Sequence, residues 1–305
     1  MIGRGRRVKE RALGQEEVAS TGLRSSRGQR ADTATFHHRA VERVIVAMRE
    51  CLDDEFSLTD MADLAGMSTY HFNRTFRELT GIPPCRFLSA VRLETAKRLL
   101  VETERSVTDV CFDVGYNSLG TFIRRFTELV GVSPQRLRAL AKAPLDRVVE
   151  RLPRRHKGPR PSRVPAVVGL VTAEEPRRAV FIGLFPSPIP QGRPVAGAVT
   201  SAPGPYRIPG VPSGRYWLFA ACFASWNDPK DLYLYEAAWR GGGQAIWLSN
   251  GVTHGRTEVT LRPAALLDPP ILVALPLLLE PVPPANGDRT LSARLTSVLE
   301  TAITS

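Results

Sequence analysis

The chain has 305 residues, a formal net charge of +11 and 43% hydrophobic side chains, which suits two ordinary domains of ~100 to 200 residues each. Its longest apolar run, PPILVALPLLLE after Asp268, is cut by Pro276 and falls short of the ~20 residues that cross a bilayer. Cys51, Cys85, Cys111 and Cys222 are widely spaced with no C-x-x-C pair, so they read as reduced thiols rather than metal ligands, and no cofactor is expected. The arginine-rich start has no apolar segment followed by a cleavage site, so the protein is expected in the cytoplasm. The charge is lopsided: residues 1–163 hold 30 Lys and Arg against 20 Asp and Glu, and residues 164–305 hold 11 against 10. A surplus confined to one half suits a polyanionic partner.

Residues 1–34 are rich in Arg, Gly and Ser without an apolar period and are expected to form a flexible basic arm. From about Thr35, Val41, Val44, Ile45, Met48 and Leu52 recur at helical spacing. Ser57 opens SLTD, a capping box in which the hydroxyl meets the third amide and the carboxylate reaches back. The short helix that follows stops at Gly66. Ser68 then caps TYHFNRTFREL, which ends at Gly81 with Pro83 and Pro84 behind it. A longer helix runs from Pro84 to about Thr103 on a stripe of Phe87, Leu88, Val91, Leu99 and Leu100.

The plan then repeats. SVTD at Ser106 is the same box, Gly115 is the stop, Asn117 or Ser118 caps TFIRRFTEL, and Gly131 and Pro134 follow with a final short helix. FRELTGIPP at Phe76 is answered fifty residues later by FTELVGVSP at Phe126. Two such units make sense as paired helix-turn-helix elements, each placing its second helix in a major groove. The intervening helix of ~20 residues spans ~30 Å, close to the ~34 Å between successive groove faces. A single helix-glycine-helix unit is a generic packing motif; two capped copies at this spacing are not.

The groove-facing positions carry suitable chemistry. Tyr70, Asn73 and Arg74 offer an aromatic or phosphate contact, an amide for adenine and a guanidinium for guanine. Gly120, Thr121 and Arg124 take the corresponding places, with Gly120 permitting close approach and the Thr121 methyl meeting a thymine methyl. Ser68 and Ser118 place helix N-terminal amides on phosphates, with Arg77 and Arg125 as further phosphate contacts. Phe72, Phe76, Phe122 and Phe126 are expected in the core.

The segment from about Thr35 to Lys142 resembles the DNA-binding domain of the AraC/XylS family of bacterial transcription regulators. The resemblance rests on SLTDMADLAGMSTYHFNRTFRELTGIPP, FLSAVRLETAKRLL and SVTDVCFDVGYNSLGTFIRRFTELVGVSPQRLR. It implies two helix-turn-helix units reading adjacent grooves of double-stranded DNA, with RNA polymerase as a further partner. The family's usual base-contact positions match Tyr70, Asn73, Arg74, Gly120, Thr121 and Arg124. In most members a sensing domain precedes the reader, whereas here the reader comes first. Gly120 also stands where a polar side chain is usual.

Residues 144–165 hold five prolines and many arginines and read as a linker. Beyond them PAVVGLV, RAVFIGLF, YRIP, RYWLFAACF, QAIWLS and TEVTL are separated by Gly, Pro, Asn and Asp, the pattern of an antiparallel sandwich or small barrel. YRIPGVPSGRYWLFA resembles the strand-turn-strand of carboxypeptidase-regulatory-like, or transthyretin-like, β-sandwiches. That resemblance implies that Gly214 supplies a special turn conformation and that Tyr216 faces the core. Trp217, Trp226, Tyr233, Tyr235, Trp239 and Trp247 suit either sandwich core and partner surface or the walls of a ligand pocket. His254 has no nucleophile assigned to it by sequence order, and Cys85 precedes Arg86 rather than a histidine, unlike an alkyl-accepting cysteine. After residue 281, Leu291, Leu295, Val298, Leu299 and Ile303 mark a short final helix.

The expected architecture is therefore multidomain: a basic arm (1–34), an all-α double helix-turn-helix domain (35–143), a linker (144–165), a mostly-β sandwich (166–280) and a linker with a short helix (281–305). The expected function is sequence-specific transcription regulation without catalysis. The β domain would sense a small-molecule effector or contact a protein partner. The competing readings make that domain an enzyme or an adaptor localised by the DNA reader.

Overall fold

The computed structural model describes residues 26–52, 56–143, 165–174, 180–200, 202–222, 233–234 and 239–274. The first 25 residues, most of the linker, Trp226, Tyr235 and the expected final helix lie outside them. Seven helices are described: α1 (Ser26–Glu50), α2 (Leu58–Ala65), α3 (Thr69–Thr80), α4 (Pro84–Glu102), α5 (Val107–Asp113), α6 (Leu119–Val130) and α7 (Pro134–Ala141). They divide between two compact units. One holds α1 to α3, α4 as far as Ala96, residues 108–119 and residues 265–270; the other holds the rest of α4, α6 from Gly120, α7, the strands and residues from 271.

In the first unit, α1 begins at Ser26, inside the stretch expected to be an arm. No proline interrupts residues 26–50, and once the Val41–Met48 face anchors the helix each added residue gains a hydrogen bond without a new nucleation cost. Ala40, Val41, Val44, Ile45 and Met48 are buried, as are Met61, Ala62, Ala65, Phe72 and Phe76. Phe76 stands between Phe72 and Phe87, with both ring centroids 5.5 Å away in edge contacts. The capping box at Ser57 forms as its spacing dictates: Ser57 Oγ accepts from the Asp60 amide at 3.2 Å, and Asp60 Oδ2 accepts from the Ser57 amide at 3.1 Å. Gly66 and Gly81 end their helices in the left-handed conformation, with φ of 69° and 80°.

In the second unit, α6 buries Phe122, Phe126 and Val130. Ser133 caps α7, with Pro134 at its first turn. Arg138 Nε donates to the Leu100 carbonyl at 3.2 Å, and Lys142 holds Glu104 at 2.7 Å, so the end of α4 and α7 are joined.

Eight strands complete this unit: β1 (Ala166–Ala173), β2 (Val180–Phe185), β3 (Ala196–Thr200), β4 (Pro205–Pro209), β5 (Gly214–Cys222), β6 (Trp239–Ser249), β7 (Val252–His254) and β8 (Val259–Pro263). They form one sheet in the order β3-β2-β5-β6-β8-β1-β4, with β7 added to β6. The end strands β3 and β4 lie close together, so among the described residues the sheet is nearly closed and barrel-like. Two local features account for this. Strand β1 pairs antiparallel with β4 through Ala166–Leu170 and then parallel with β8 through Val171–Ala173, joining what would otherwise be two edges. A register shift at Leu218/Phe219 faces Gly242 and Gly243, whose φ of 103° and 91° only glycine adopts readily, and such a bulge coils the sheet.

The barrel interior is filled by Val167, Val171, Ile182, Leu184, Ile208, Leu218, Ile246, Leu248, Val259 and Leu261, each branched side chain contributing ~1.5–3 kcal/mol by leaving water. Phe181, Phe185, Ala221, Ile271 and Val273 form a second cluster. Tyr216 is buried as expected, and its hydroxyl donates to the Pro212 carbonyl at 3.0 Å. The expected role of Gly214 needs correcting. The left-handed residue of this turn is Gly210, with φ of 72°. Gly214 is required for space, because a β-carbon there would stand 2.7 Å from the Tyr216 hydroxyl.

Candidate nucleic-acid interface

Helix α3 is two-faced. Phe72, Thr75, Phe76 and Thr80 are buried, while Tyr70, Asn73, Arg74 and Arg77 are exposed, Tyr70 to 81%. A large aromatic left so open at a helix start gains nothing from the core and suits a contact made only with a partner. Ser68 caps the helix, its Oγ accepting from the His71 amide at 3.4 Å. Arg74 Nε lies 3.7 Å from Glu78 Oε1, an exposed pair worth ~0.3–0.5 kcal/mol. So weak a tether holds the guanidinium along the helix without fixing it there.

Helix α6 shows the same division. Gly120, Thr121, Arg124 and Arg125 are exposed beside the exposed Ser118, opposite the buried Phe122 and Phe126. Arg125 pairs with Glu128 at 3.6 Å. A β-carbon at Gly120 would meet nothing within 4 Å, so the glycine is not demanded by packing. Every expected contact residue thus lies on the open face of its helix.

One neighbour of this face was not expected. His71, in the first turn of α3, brings its Nε2 within 3.2 Å of His37 Nε2 on α1, with the rings edge-on at 4.9 Å. The pair ties α3 to α1 across 34 positions, too far for any local pattern to signal.

The sheet offers less. His254 Nε2 lies 3.1 Å from Ser249 Oγ, and its ring stacks on Trp247 at 6.0 Å. Ser249, His254 and the half-exposed Trp247 share the open hairpin joining β6 and β7. A hydroxyl and imidazole in open water, with no third group orienting the ring among the described contacts, lack the arrangement of an activated nucleophile. Arg215 sits over Trp217 at 5.1 Å. Tyr233 is fully buried, and burial pushes its pKa up to about 12. Cys85 is exposed, while Cys111 is buried and its thiol pKa is raised by desolvation. Among the described residues no group of three or more His, Cys, Asp and Glu could hold a metal ion, and no helix is long and apolar enough to cross a membrane.

Residues 61–139 match the family model described as a helix-turn-helix domain. The segment is an AraC-type helix-turn-helix domain. The bifunctional transcriptional activator/DNA repair enzyme AdaA of Bacillus subtilis (strain 168) is 32% identical over 89 residues, which are 29% of this chain and 42% of AdaA. The HTH-type transcriptional activator AarP of Providencia stuartii is 27% identical over 99 residues, 32% of this chain and 73% of AarP. Among solved structures, the DNA-binding domain of AdpA, the global transcriptional factor, in complex with a target DNA is 33% identical, with 32% of this chain and 89% of that chain covered and a TM-score of 0.32. The chain spans less than half of AdaA.

Proposed function

We propose that the protein is a cytoplasmic, sequence-specific transcription regulator whose α3 and α6 read two adjacent major grooves of double-stranded DNA. The observation that carries this is the matched division of the two helices, aromatic residues buried and polar readers exposed. In this reading Asn73 and Arg74 hydrogen-bond base edges in one groove and Tyr70 packs beside them. Thr121 and Arg124 do the same in the next groove, where Gly120 lets the backbone approach. Ser68, Arg77, Ser118 and Arg125 hold phosphates and set the register. At 19 residues, α4 measures ~28 Å, near the groove-to-groove repeat. The sheet supplies regulation, by sensing an effector or by contacting RNA polymerase or another protein.

In-vitro selection of DNA by the full chain, compared with Arg74→Ala and Arg124→Ala, tests the reading. The wild type is expected to yield two blocks centred ~10 bp apart, and each variant to relax a different block at a cost of ~1–3 kcal/mol. A motif with one block, or variants that both weaken the same block, would defeat it.

A further inference from the structure

The two copies differ where their recognition helices end. In FRELTGIPP the last helical residue is Thr80; in FTELVGVSP it is Val130. An α-helix leaves its last carbonyls without intrahelical partners, and the exit turn needs closing. Thr80 braces its own exit turn: Oγ1 reaches back to the Phe76 carbonyl at 2.8 Å and forward to the Ile82 carbonyl at 3.0 Å, and it receives the Ile82 amide at 3.4 Å. Val130 has no hydroxyl and cannot do this.

Both copies share a glycine closure, the Gly81 amide on the Arg77 carbonyl and the Gly131 amide on the Thr127 carbonyl, each at 2.9 Å, and the second copy is braced further from outside. Within the second unit the Leu129 carbonyl accepts the Gly192 amide, and the Val130 carbonyl accepts the Ala274 amide at 3.1 Å. Gly192 lies between β2 and β3, and Ala274 lies on a strap of residues 271–274. Loop and strap hold each other, because the Pro190 carbonyl accepts from Leu272 at 3.0 Å and from Val273 at 3.4 Å. Lys97 of α4, only 2% exposed, donates to the Ile271 carbonyl at 3.2 Å. Ile189, Leu272 and Val273 are buried, so the clamp is packed as well as hydrogen-bonded. Gly192 fits for two reasons: its φ is 65°, and a β-carbon would stand 3.0 Å from the Glu128 carbonyl.

We propose that Gly192 and Ala274 are positioning residues for DNA reading, clamping the end of α6, which lacks the exit-turn brace that Thr80 gives α3, so that the second half-site is read only while the strap is seated. This rests on the two-groove reading proposed above.

The test uses the full chain carrying Ala274→Pro, which deletes the donating amide, Gly192→Val, which strains the loop, and Ala274→Ser, which keeps the amide. Binding to the selected duplex and to duplexes with one block scrambled is measured alongside hydrogen exchange of the amides at 127–131. Ala274→Pro and Gly192→Val are expected to lose about tenfold on the second block, a change equivalent to ~1.4 kcal/mol, and to exchange faster at 127–131. The first block should be unaffected and Ala274→Ser should behave as wild type. Val130→Thr added to Ala274→Pro should restore part of the second-block binding by tying residue 130 to the exit turn at Val132, as Thr80 ties Ile82. Equal loss on both blocks, wild-type reading by Ala274→Pro, or no rescue by Val130→Thr would overturn the clamp. A wild type that selects no two-block motif would instead defeat the two-groove reading, and unchanged exchange at 127–131 in Ala274→Pro would then refute the clamp by itself.

Discussion

Single glycines in this chain answer to different demands, and substitution separates them. Gly66 has φ of 69° and open space around it, so Gly66→Ala carries only the left-handed strain, ~1 kcal/mol. Gly115 has φ of 78°, and a β-carbon would lie 2.0 Å from the Leu52 carbonyl oxygen. Gly115→Ala should therefore cost well over the Gly66 value, ~3 kcal/mol or more, in a comparison of urea midpoints. At Gly120 neither demand applies. Gly120→Ala is expected to raise stability by ~0.5 kcal/mol through helix propensity while weakening the second DNA block, and a gain in both would remove Gly120 from the contact set. Tyr233 adds a pH effect. Its folded pKa of about 12 exceeds the usual 10, so its contribution is fully present below pH ~10, where the unfolded chain is also protonated, and is lost between pH ~10 and ~12 at up to ~1.4 kcal/mol per unit. Its hydroxyl has no hydrogen-bond partner among the described residues. Tyr233→Phe should accordingly flatten the alkaline limb of a denaturation series and raise the midpoint at pH 7.

Among elements, what the sequence disclosed was what is local. Ser57 and Asp60 are three residues apart, and a glycine stop acts on the turn that contains it, so α2, α3 and the left-handed residues Gly66, Gly81, Gly115 and Gly131 could be read directly. The open face of α3 was legible for the same reason, since Phe72 and Phe76 define the buried side and Asn73 and Arg74 fall opposite. Strand partners were not legible. Nothing near Val171 announces that β1 changes partner from β4 to β8, because register is settled by side chains ~90 residues away in sequence. Gly214 was read as a turn glycine although its restraint is the Tyr216 ring folding back, which only the paired strands reveal. The His37–His71 contact and the amides reaching Leu129 and Val130 are likewise products of tertiary packing.

At the scale of the whole molecule, the basic half and the β half are not independent in the second unit, where α6, α7 and the sheet fold together. The barrel has few edges to offer: β1 and β8 close one seam, and β3 and β4 approach at the other. Regulation through such a body would act by shifting how firmly loop and strap are held rather than by sliding strands, since a packed barrel deforms little. A ligand or partner that stabilises the 189–192 loop should strengthen binding to the second block and leave the first unchanged, which a half-site titration with and without that ligand would show.

The position of Ala274 also imposes an order in time. The ribosome makes α3 with its Thr80 brace already in hand, whereas Val130 emerges about 140 residues before the amide that meets it, a wait of roughly 10–30 s at ordinary elongation rates. A nascent chain would thus own one competent reading head well before the other, and any chain interrupted short of the strap would be released able to recognise only half of its site.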